Sequence, residues 1–360
     1  MPLLRPDEAL ASFDKAISLN PGQFDAHLNR ALVLYGMNAI HAALGSTDRA
    51  IALRPDSGDT LMFKALLLMT LADFTPAWPL YEFRFAKDKP VAIRKFPQPL
   101  WDGSQNIAGR TLFLHAEQGL GDTIQFARYA PLAAEAGARV ILSVPHPLLR
   151  FLRRLEPMIT VIGPDESPDV FDLHCPLMSL PRAFATTADT IPPPPGALAA
   201  PPNTKGHTPK IGLVWRGNPG HINDAMRSIP LADLTPLLHA GADWTILQKD
   251  LSKAEQTLLA GIPHAAPPLT DFAATADILA DLDLLITADT STAHLAGSMG
   301  IPTWIMLPFH ADWRWQLTRS DSPWYPSARL FRQPAPGDWR SVILTITDAV
   351  RGLSRPGPHA

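Results

Sequence analysis

The sequence predicts an N-terminal stack of paired helices followed by an α/β region built of two Rossmann-like halves. Three observations carry this. About the first 85 residues repeat themselves at a fixed spacing; residues 111–136 and 282–307 each read as a strand, a small or glycine-bearing polar turn and a helix; and a proline cluster at 192–209 separates the two α/β stretches. At 360 residues the chain has room for two or three domains with real cores.

The repeat is explicit. Asp14, Ala16, Ile17, Leu19, Pro21, Asp25, Ala31, Leu32 and Leu34 return 34 positions later as Asp48, Ala50, Ile51, Leu53, Pro55, Asp59, Ala65, Leu66 and Leu68. Leu28 and Met62, and Arg30 and Lys64, match in kind. A period of 34 with proline after the second helix is the signature of tetratricopeptide (TPR) helix pairs. Small residues such as Ala16 and Ala31 let paired helices approach, and the Leu and Ile positions fill the seam. The helix from about Asp7 to Leu19 reads as the second half of a repeat, and a further pair follows Pro55, its second helix opening at Phe74. Such stacks bind peptides or partner domains, or cap a neighbouring domain. The expected boundaries are repeats at 1–86 and a proline-broken connector at 87–108.

Residues 109–191 form the first α/β half. Thr111–Ala116 is an apolar strand, Glu117-Gln118-Gly119-Leu120-Gly121-Asp122 a glycine turn, and Thr123 to Ala136 a helix. This is the order of a nucleotide-type half, although it is neither G-x-G-x-x-G nor a P-loop. Asp122 opens the helix and either caps it or does chemistry. Glu117 and His115 sit at the strand's carboxyl end, the edge where ligands bind. Strands at 139–144, 159–162 and 171–176 continue the alternation. His174 and Cys175 lack partners at nucleophile spacing and read as core.

The linker at 192–209 leads to the second half, 210–360. Strand Lys210–Trp215 is followed by a long polar loop from Arg216 to Ser228 containing Asn218 and Arg227. Two arginines at a strand's carboxyl end suit a diphosphate, because guanidinium grips phosphate oxygens in a fork. Strand Trp244–Leu247 ends in Gln248 and Lys249, polar ends placed to reach a base or ribose. After a helix from Thr270 to Ala280, the apolar run Leu282–Thr287 meets Ala288-Asp289-Thr290-Ser291-Thr292. A helix from Ala293 to Met299 follows, with Gly300 as its left-handed stop and a strand at 303–307. The turn lies at a helix N-terminus, where free N–H groups and the helix dipole favour anions, so a phosphate group is the natural guest. Asp289, Thr290 and Ser291 are also good N-cap residues. His294 falls four residues past Thr290 and shares the face that looks back at the turn. Beyond Pro308, Trp313, Trp315, Trp324 and Tyr325 either line a sugar or acceptor groove or pack internally. A closing helix runs from Asp338 to about Leu353.

The segment Asp289-Thr290-Ser291-Thr292-Ala293-His294-Leu295-Ala296 resembles the D-T-x-x-x-H-L-A segment of the heptosyltransferase-like (family 9) glycosyltransferases. It is closer still to the bacterial proteins that join such a family 41-like domain to tetratricopeptide repeats. Gly121-Asp122 matches the glycine-aspartate pair of family 9, and the run from Glu117 to Phe126 matches the repeat-bearing subgroup. The Trp-x-Gly-Asn-Pro and Arg-Ser-Ile-Pro patterns around Arg216, Asn218 and Arg227 are shared too. The resemblance spans nearly the whole chain and implies a GT-B fold, two Rossmann-like halves facing a cleft.

It implies a transferase of the hexosyl or heptosyl type that displaces a nucleotide diphosphate with inversion and needs no metal or other cofactor, the nucleotide sugar being a substrate. Asp122 is then the base. Arg216, Asn218, Arg227, Gln248, Lys249, Asp289, Thr290, Ser291, Thr292 and His294 are donor-side candidates. Glu117, Gln118, Gly119, Gly121 and Gln125 are acceptor-side candidates. Heptosyltransferases often carry glycine where this chain has Ser291, so the donor sugar is not implied. The repeats favour a protein acceptor or partner. The alternative is an inactive TPR adaptor that binds a nucleotide sugar as a scaffold. A Ser291–His294 hydrolase is a poor reading, because no nucleophile elbow surrounds Ser291.

Composition narrows the rest. A net charge of -3 argues against nucleic acid or anionic lipid as a partner. The single Cys175 rules out an internal disulfide framework and suits a reducing compartment. No apolar run nears the roughly 20 residues that span a bilayer, and the first residues lack a signal-peptide core, so the cytoplasm is the expected location. Asp281-Leu282-Asp283 looks like the D-x-D of metal-dependent transferases but stands at the start of its strand, and reads as a turn.

Overall fold

The computed structural model describes residues 5–201, 208–220 and 223–353. Residues 202–207 of the proline linker, and His221 and Ile222 of the arginine loop, lie outside that set. The chain opens with helices α1 (Pro6–Leu19), α2 (Phe24–Gly36), α3 (Ile40–Leu53), α4 (Gly58–Thr70) and α5 (Phe74–Tyr81). Then come β1 (Thr111–His115), α6 (Leu120–Phe126), α7 (Tyr129–Glu135), β2 (Arg139–Ser143), α8 (His146–Leu152), β3 (Thr160–Ile162), β4 (Leu173–Pro176) and α9 (Leu180–Ala183). The second α/β half contributes β5 (Lys210–Val214), α10 (Asp224–Arg227), α11 (Thr235–Leu238), β6 (Asp243–Ile246), α12 (Lys253–Leu259) and β7 (His264–Ala265). It ends with α13 (Phe272–Ala280), β8 (Leu284–Ala288), α14 (Ser291–Ser298), β9 (Thr303–Leu307), β10 (Ala328–Arg332) and α15 (Trp339–Leu353).

The chain divides into two compact units. One takes in the chain to Asn106 with Ser179–Ile191 and His310–Arg319; the other takes Ile107–Met178, Pro192–Phe309 and the chain from Ser320.

In the first unit the sequence repeat becomes a structural one. Arg30 Nε pairs with Asp14 at 2.7 Å, and 34 residues on Lys64 Nζ pairs with Asp48 at 2.7 Å. Asn38 and Ala72, also 34 apart, take left-handed backbone at φ 58 and 61 and stop α2 and α4. In both stops the second N–H returns to the same carbonyl position, Ala39 to Leu34 and Asp73 to Leu68, each at 2.9 Å. Asparagine tolerates that conformation; alanine holds it at a cost. Ala31, Ala43 and Ala65 are fully buried in the seams, where only a small side chain fits between helices. Phe74, Trp78 and Trp313 pack edge-on or stacked. Trp78 Nε1 donates to the Thr186 carbonyl, and fully buried Arg84 donates to Ser179 Oγ and Glu82.

The second unit holds two parallel sheets, ordered β3-β2-β1-β4 and β10-β9-β8-β5-β6-β7. Their central strands are apolar on both faces, as sheets covered on both sides require. In each sheet the winding direction reverses once, between β1 and β4 in the first and between β5 and β8 in the second. Such switch points leave a crevice at the strands' carboxyl ends where ligands settle.

Several expectations need correction. The helix foreseen from Thr123 to Ala136 is two helices, because Pro131 has no N–H to return to the Ala127 carbonyl. Strands β7 and β10 are additional. The former is only two residues long, and the latter reads Ala-Arg-Leu-Phe-Arg with both arginines interrupting an apolar run. Of the two roles left open for Trp313, Trp315, Trp324 and Tyr325, their burial is that of packing residues.

Candidate functional site

The two turns singled out in the sequence come together at the carboxyl edges of the two sheets. β1 delivers the glycine turn and α6; β8 delivers the Asp289–Thr292 turn and α14. Gly121 lies so close to α14 that a Cβ there would meet His294 Cδ2 at 2.7 Å, His294 Nε2 at 3.4 Å and Ser291 Cα at 3.5 Å. Only glycine leaves room for the ring.

Asp122 stands on the first turn of α6, partly exposed, and its Oδ2 accepts the Gly119 N–H at 2.9 Å. The carboxylate therefore caps its own helix while standing at the sheet's active edge. Glu117 Oε1 accepts the Met178 N–H at 3.2 Å and ties the ends of β1 and β4 across the first switch point. Gln118 and Gly119 lie on the accessible side of the same turn. Gln125 does not: it is fully buried, and its carbonyl accepts Arg128 Nε, so it is a packing residue of α6. The His115 and His174 rings meet at 3.3 Å in the core, and burial pulls His174 below the usual imidazole range.

On the donor side, Thr290 occupies the N-cap of α14 with extended backbone and makes no cap bond; its hydroxyl pairs with Thr287 at 3.2 Å instead. Asp289, Ser291 and Thr292 are partly exposed. Arg227, at the end of α10, reaches across from the β5 loop and donates Nη1 to the Asp289 carbonyl at 3.0 Å. Its buried Nε has no hydrogen-bond partner among the described residues, the nearest carboxylate oxygen being Asp224 Oδ1 at 3.7 Å. Gly217 lies under this guanidinium, where a Cβ would meet Nη2 at 2.7 Å. Arg227 and the Asp289 turn thus bracket the switch point between β5 and β8.

The other arginine of the loop is used differently. Arg216 donates Nη2 to Glu255 Oε2 at 3.1 Å and to the Asp250 carbonyl at 2.6 Å. Trp215 Nε1 donates to the same carboxylate at 2.8 Å. Burial alone would raise the Glu255 carboxyl, but Arg216, Ser252 and Trp215 hold it down at about 2. Gln248 Oε1 accepts the N–H groups of both Trp215 and Arg216, at 3.1 and 3.0 Å. Asn218 Oδ1 accepts the Gly220 N–H at 2.9 Å and shapes its turn. These contacts show that the polar groups of Arg216, Gln248 and Asn218 also build the loop itself. Lys249 is exposed beside them.

His294 is 6% exposed, and its Nδ1 lies 2.9 Å from the hydroxyl of fully buried Tyr325. Behind Tyr325 stands Arg128, a buried cation that donates to the carbonyls of Pro192 and Trp324, each at 2.9 Å, and to the Tyr325 hydroxyl. Burial pulls Arg128 below the ordinary guanidinium range, opposed by Tyr325 and Tyr129. Sequence reading missed this trio, because its members lie on distant segments with no motif linking them.

Asp283 Oδ2 accepts the Lys210 N–H at 2.9 Å and joins the starts of β5 and β8. A cavity of about 730 Å³ lies at that same amino edge, lined by Trp244, His264, Asp281 and Leu282, on the wrong side of the sheet for the two turns. Among the described residues no group of three or more His, Cys, Asp or Glu is placed to hold a metal ion, and no helix is long and apolar enough to cross a membrane.

No protein-family model matches the chain. A curated relative, Protein FlbA of Caulobacter vibrioides, is 27% identical over 386 residues, covering 96% of this chain and 64% of that protein. The chain therefore spans less than two thirds of that relative's length. Several of the solved structures that match are glycosyltransferases. They include the dodecameric iron-containing heptosyltransferase TibC in complex with ADP-D-beta-D-heptose, at 10% identity and a TM-score of 0.49, over 70% of this chain and 78% of that one. E. coli heptosyltransferase WaaC matches at 10% and 0.47, over 68% and 99%. An O-GlcNAc transferase from Thermobaculum terrenum matches at 15% and 0.34, over 96% and 79%.

Proposed function

We propose that the protein is a glycosyltransferase of GT-B type that moves a sugar from a nucleotide-diphosphate donor to an acceptor. The observation that carries this reading is the meeting of the two turns: Gly121 and Asp122 of the first half stand against Ser291 and His294 of the second. A base on one sheet edge faces an anion-favouring helix start on the other, which is the pairing that displacement at an anomeric carbon requires. The motif resemblance at both turns points the same way.

In this reading the leaving diphosphate lies at the Asp289–Thr292 turn, where the dipole of α14 and first-turn N–H groups take up its growing charge. Arg227 supplies the cation, its guanidinium already reaching the Asp289 carbonyl of that turn. His294 donates from the other side. Asp122 takes the acceptor proton, its Oδ2 kept in place by the Gly119 N–H. One-step displacement inverts the anomeric centre. The cationic side chains and helix end do the work that a metal does in other transferases. The 34-residue helix pairs are TPR repeats that present a protein acceptor, and the single cysteine suits the cytoplasm. The proposed domains are repeats to residue 86, a connector to 108, the acceptor half to 191, a linker to 209 and the donor half beyond.

Thermal-shift measurements against UDP-, GDP-, ADP- and CMP-sugars test the reading, each variant being compared with its own ligand-free form. A shift with one nucleotide class, lost in His294→Ala and kept in Asp122→Asn, is the expected result. No shift with any nucleotide sugar would leave an adaptor that uses only its helical repeats.

A further inference from the structure

His294 has two ring nitrogens, and which of them carries the proton decides what the residue can do toward a ligand. Nδ1 faces Tyr325, whose hydroxyl is 2.9 Å away. The opposite edge, Cδ2 and Nε2, lies against Gly121, which also packs on Ser291 of α14. The residues beside that edge, Gly121, Asp122, Ser291 and Thr292, are partly exposed, so a ligand at the turns reaches Nε2 and not Nδ1.

Tyr325 is not free to choose its role. Arg128 offers only donors, so the Tyr325 oxygen accepts from it. The hydroxyl has a single proton, and with the guanidinium behind it that proton is directed to Nδ1 of His294. Nδ1 is then the acceptor, and the ring proton resides on Nε2. Arg128 is itself held by the carbonyls of Pro192 and Trp324, the latter in the core. Gly297 adds to the precision: a Cβ there would lie 2.5 Å from the Tyr325 ring, so the glycine seats the tyrosine directly on α14.

We propose that Arg128 and Tyr325 are positioning residues that hold His294 as the Nε2–H tautomer, with that N–H on the ring edge that faces Gly121, as a donor to an anionic ligand at the two turns. The ligand's identity as a diphosphate rests on the transferase reading; the tautomer does not. The relay serves the same end as outer hydrogen bonds that orient a metal-binding histidine.

The test is long-range ¹H–¹⁵N correlation on the full chain labelled at histidine, with the His294 signals identified by their loss in His294→Ala. The wild-type protein should show one neutral tautomer, protonated at Nε2. In Tyr325→Phe, which keeps the ring and its packing, the His294 signals should move to a mixture of tautomers while the melting temperature stays near that of the wild type. Arg128→Met should give a smaller move in the same direction. Binding of UDP, GDP or ADP, whichever the wild type takes, should weaken about 10-fold in Tyr325→Phe. A wild-type His294 protonated at Nδ1, or a Tyr325→Phe spectrum identical to wild type, overturns the relay. If the tautomer collapses as expected but no nucleotide diphosphate perturbs the wild-type Nε2 signal, the relay stands and the transferase reading falls.

Discussion

Two helices of the second unit begin at the carboxyl edges of their sheets, and they treat their first turns differently. At α6 the Asp122 carboxylate bends back to the Gly119 N–H at 2.9 Å, so the helix start is tied by its own side chain. At α14 the N-cap Thr290 keeps its hydroxyl on Thr287, and the neighbouring Asp289 carbonyl is held from outside by Arg227. A helix start that uses its own carboxylate fixes that carboxylate in space, which suits a base. One whose cap side chain stays away suits an anionic guest. The bland and the functional readings of a capping residue are thus not exclusive at Asp122.

The largest effect should come from removing the base while keeping the cap. Asp122→Asn retains a carbonyl oxygen for the Gly119 N–H, so melting temperature and nucleotide binding should hold while kcat drops by about 10² to 10⁴. Asp122→Ala should add a loss of about 1 kcal/mol in stability. Equal turnover in Asp122→Asn and wild type would strip α6 of its chemical role.

Next comes the contact between the two turns. Gly121→Val places a side chain where His294 now lies, and a displacement of this kind should cost about 10²-fold in kcat/KM. Arg227→Ala should weaken nucleotide-diphosphate binding by roughly 10-fold or more, the scale of one charge-assisted hydrogen bond, and Arg227→Lys should restore only part of it. Isothermal titration separates the two.

The smallest effect on ligand binding belongs to Arg216, and it sharpens the contrast within one loop. Glu255 is held at about 2 in the fold, below its unfolded value, so its contribution is present above that unfolded value and is lost as pH falls toward 2. Arg216→Ala should lower the melting temperature at neutral pH by a few degrees, flatten the decline between pH 4.5 and 2, and leave nucleotide affinity where it was. A loss of affinity equal to that of Arg227→Ala would make the two arginines equivalent and undo the distinction.

What could be read in the sequence was local. The helix pairs, the strand–turn–helix units and Gly300 as a stop follow from period, turn chemistry and spacing within some forty residues. The two turns were visible because each packs its distinctive residues into a short run. What was hidden depends on partners far along the chain. Arg216 also pairs with Glu255 on α12, and Gln248 also accepts the N–H groups of Trp215 and Arg216, contacts that no local motif announces. Gln125 sits in a motif yet faces the core together with Thr123, Ile124 and Phe126, the buried end of α6. Arg128 and Tyr325 carry no signature at all; a buried cation behind a tyrosine can be seen only once the fold has brought them together.

The repeated ion pairs and left-handed stops of the first unit have a consequence of their own. Asp14–Arg30 and Asp48–Lys64 are one device used twice, and so are the turns at Asn38 and Ala72. The match is not complete: Arg30 also donates to Ser46 Oγ at 2.7 Å, and 34 residues past Ser46 stands Leu80. A stack that repeats such pairs lengthens in whole blocks of 34 residues, so the reach of a helical arm of this kind is a quantity that evolution, or an engineer, can count.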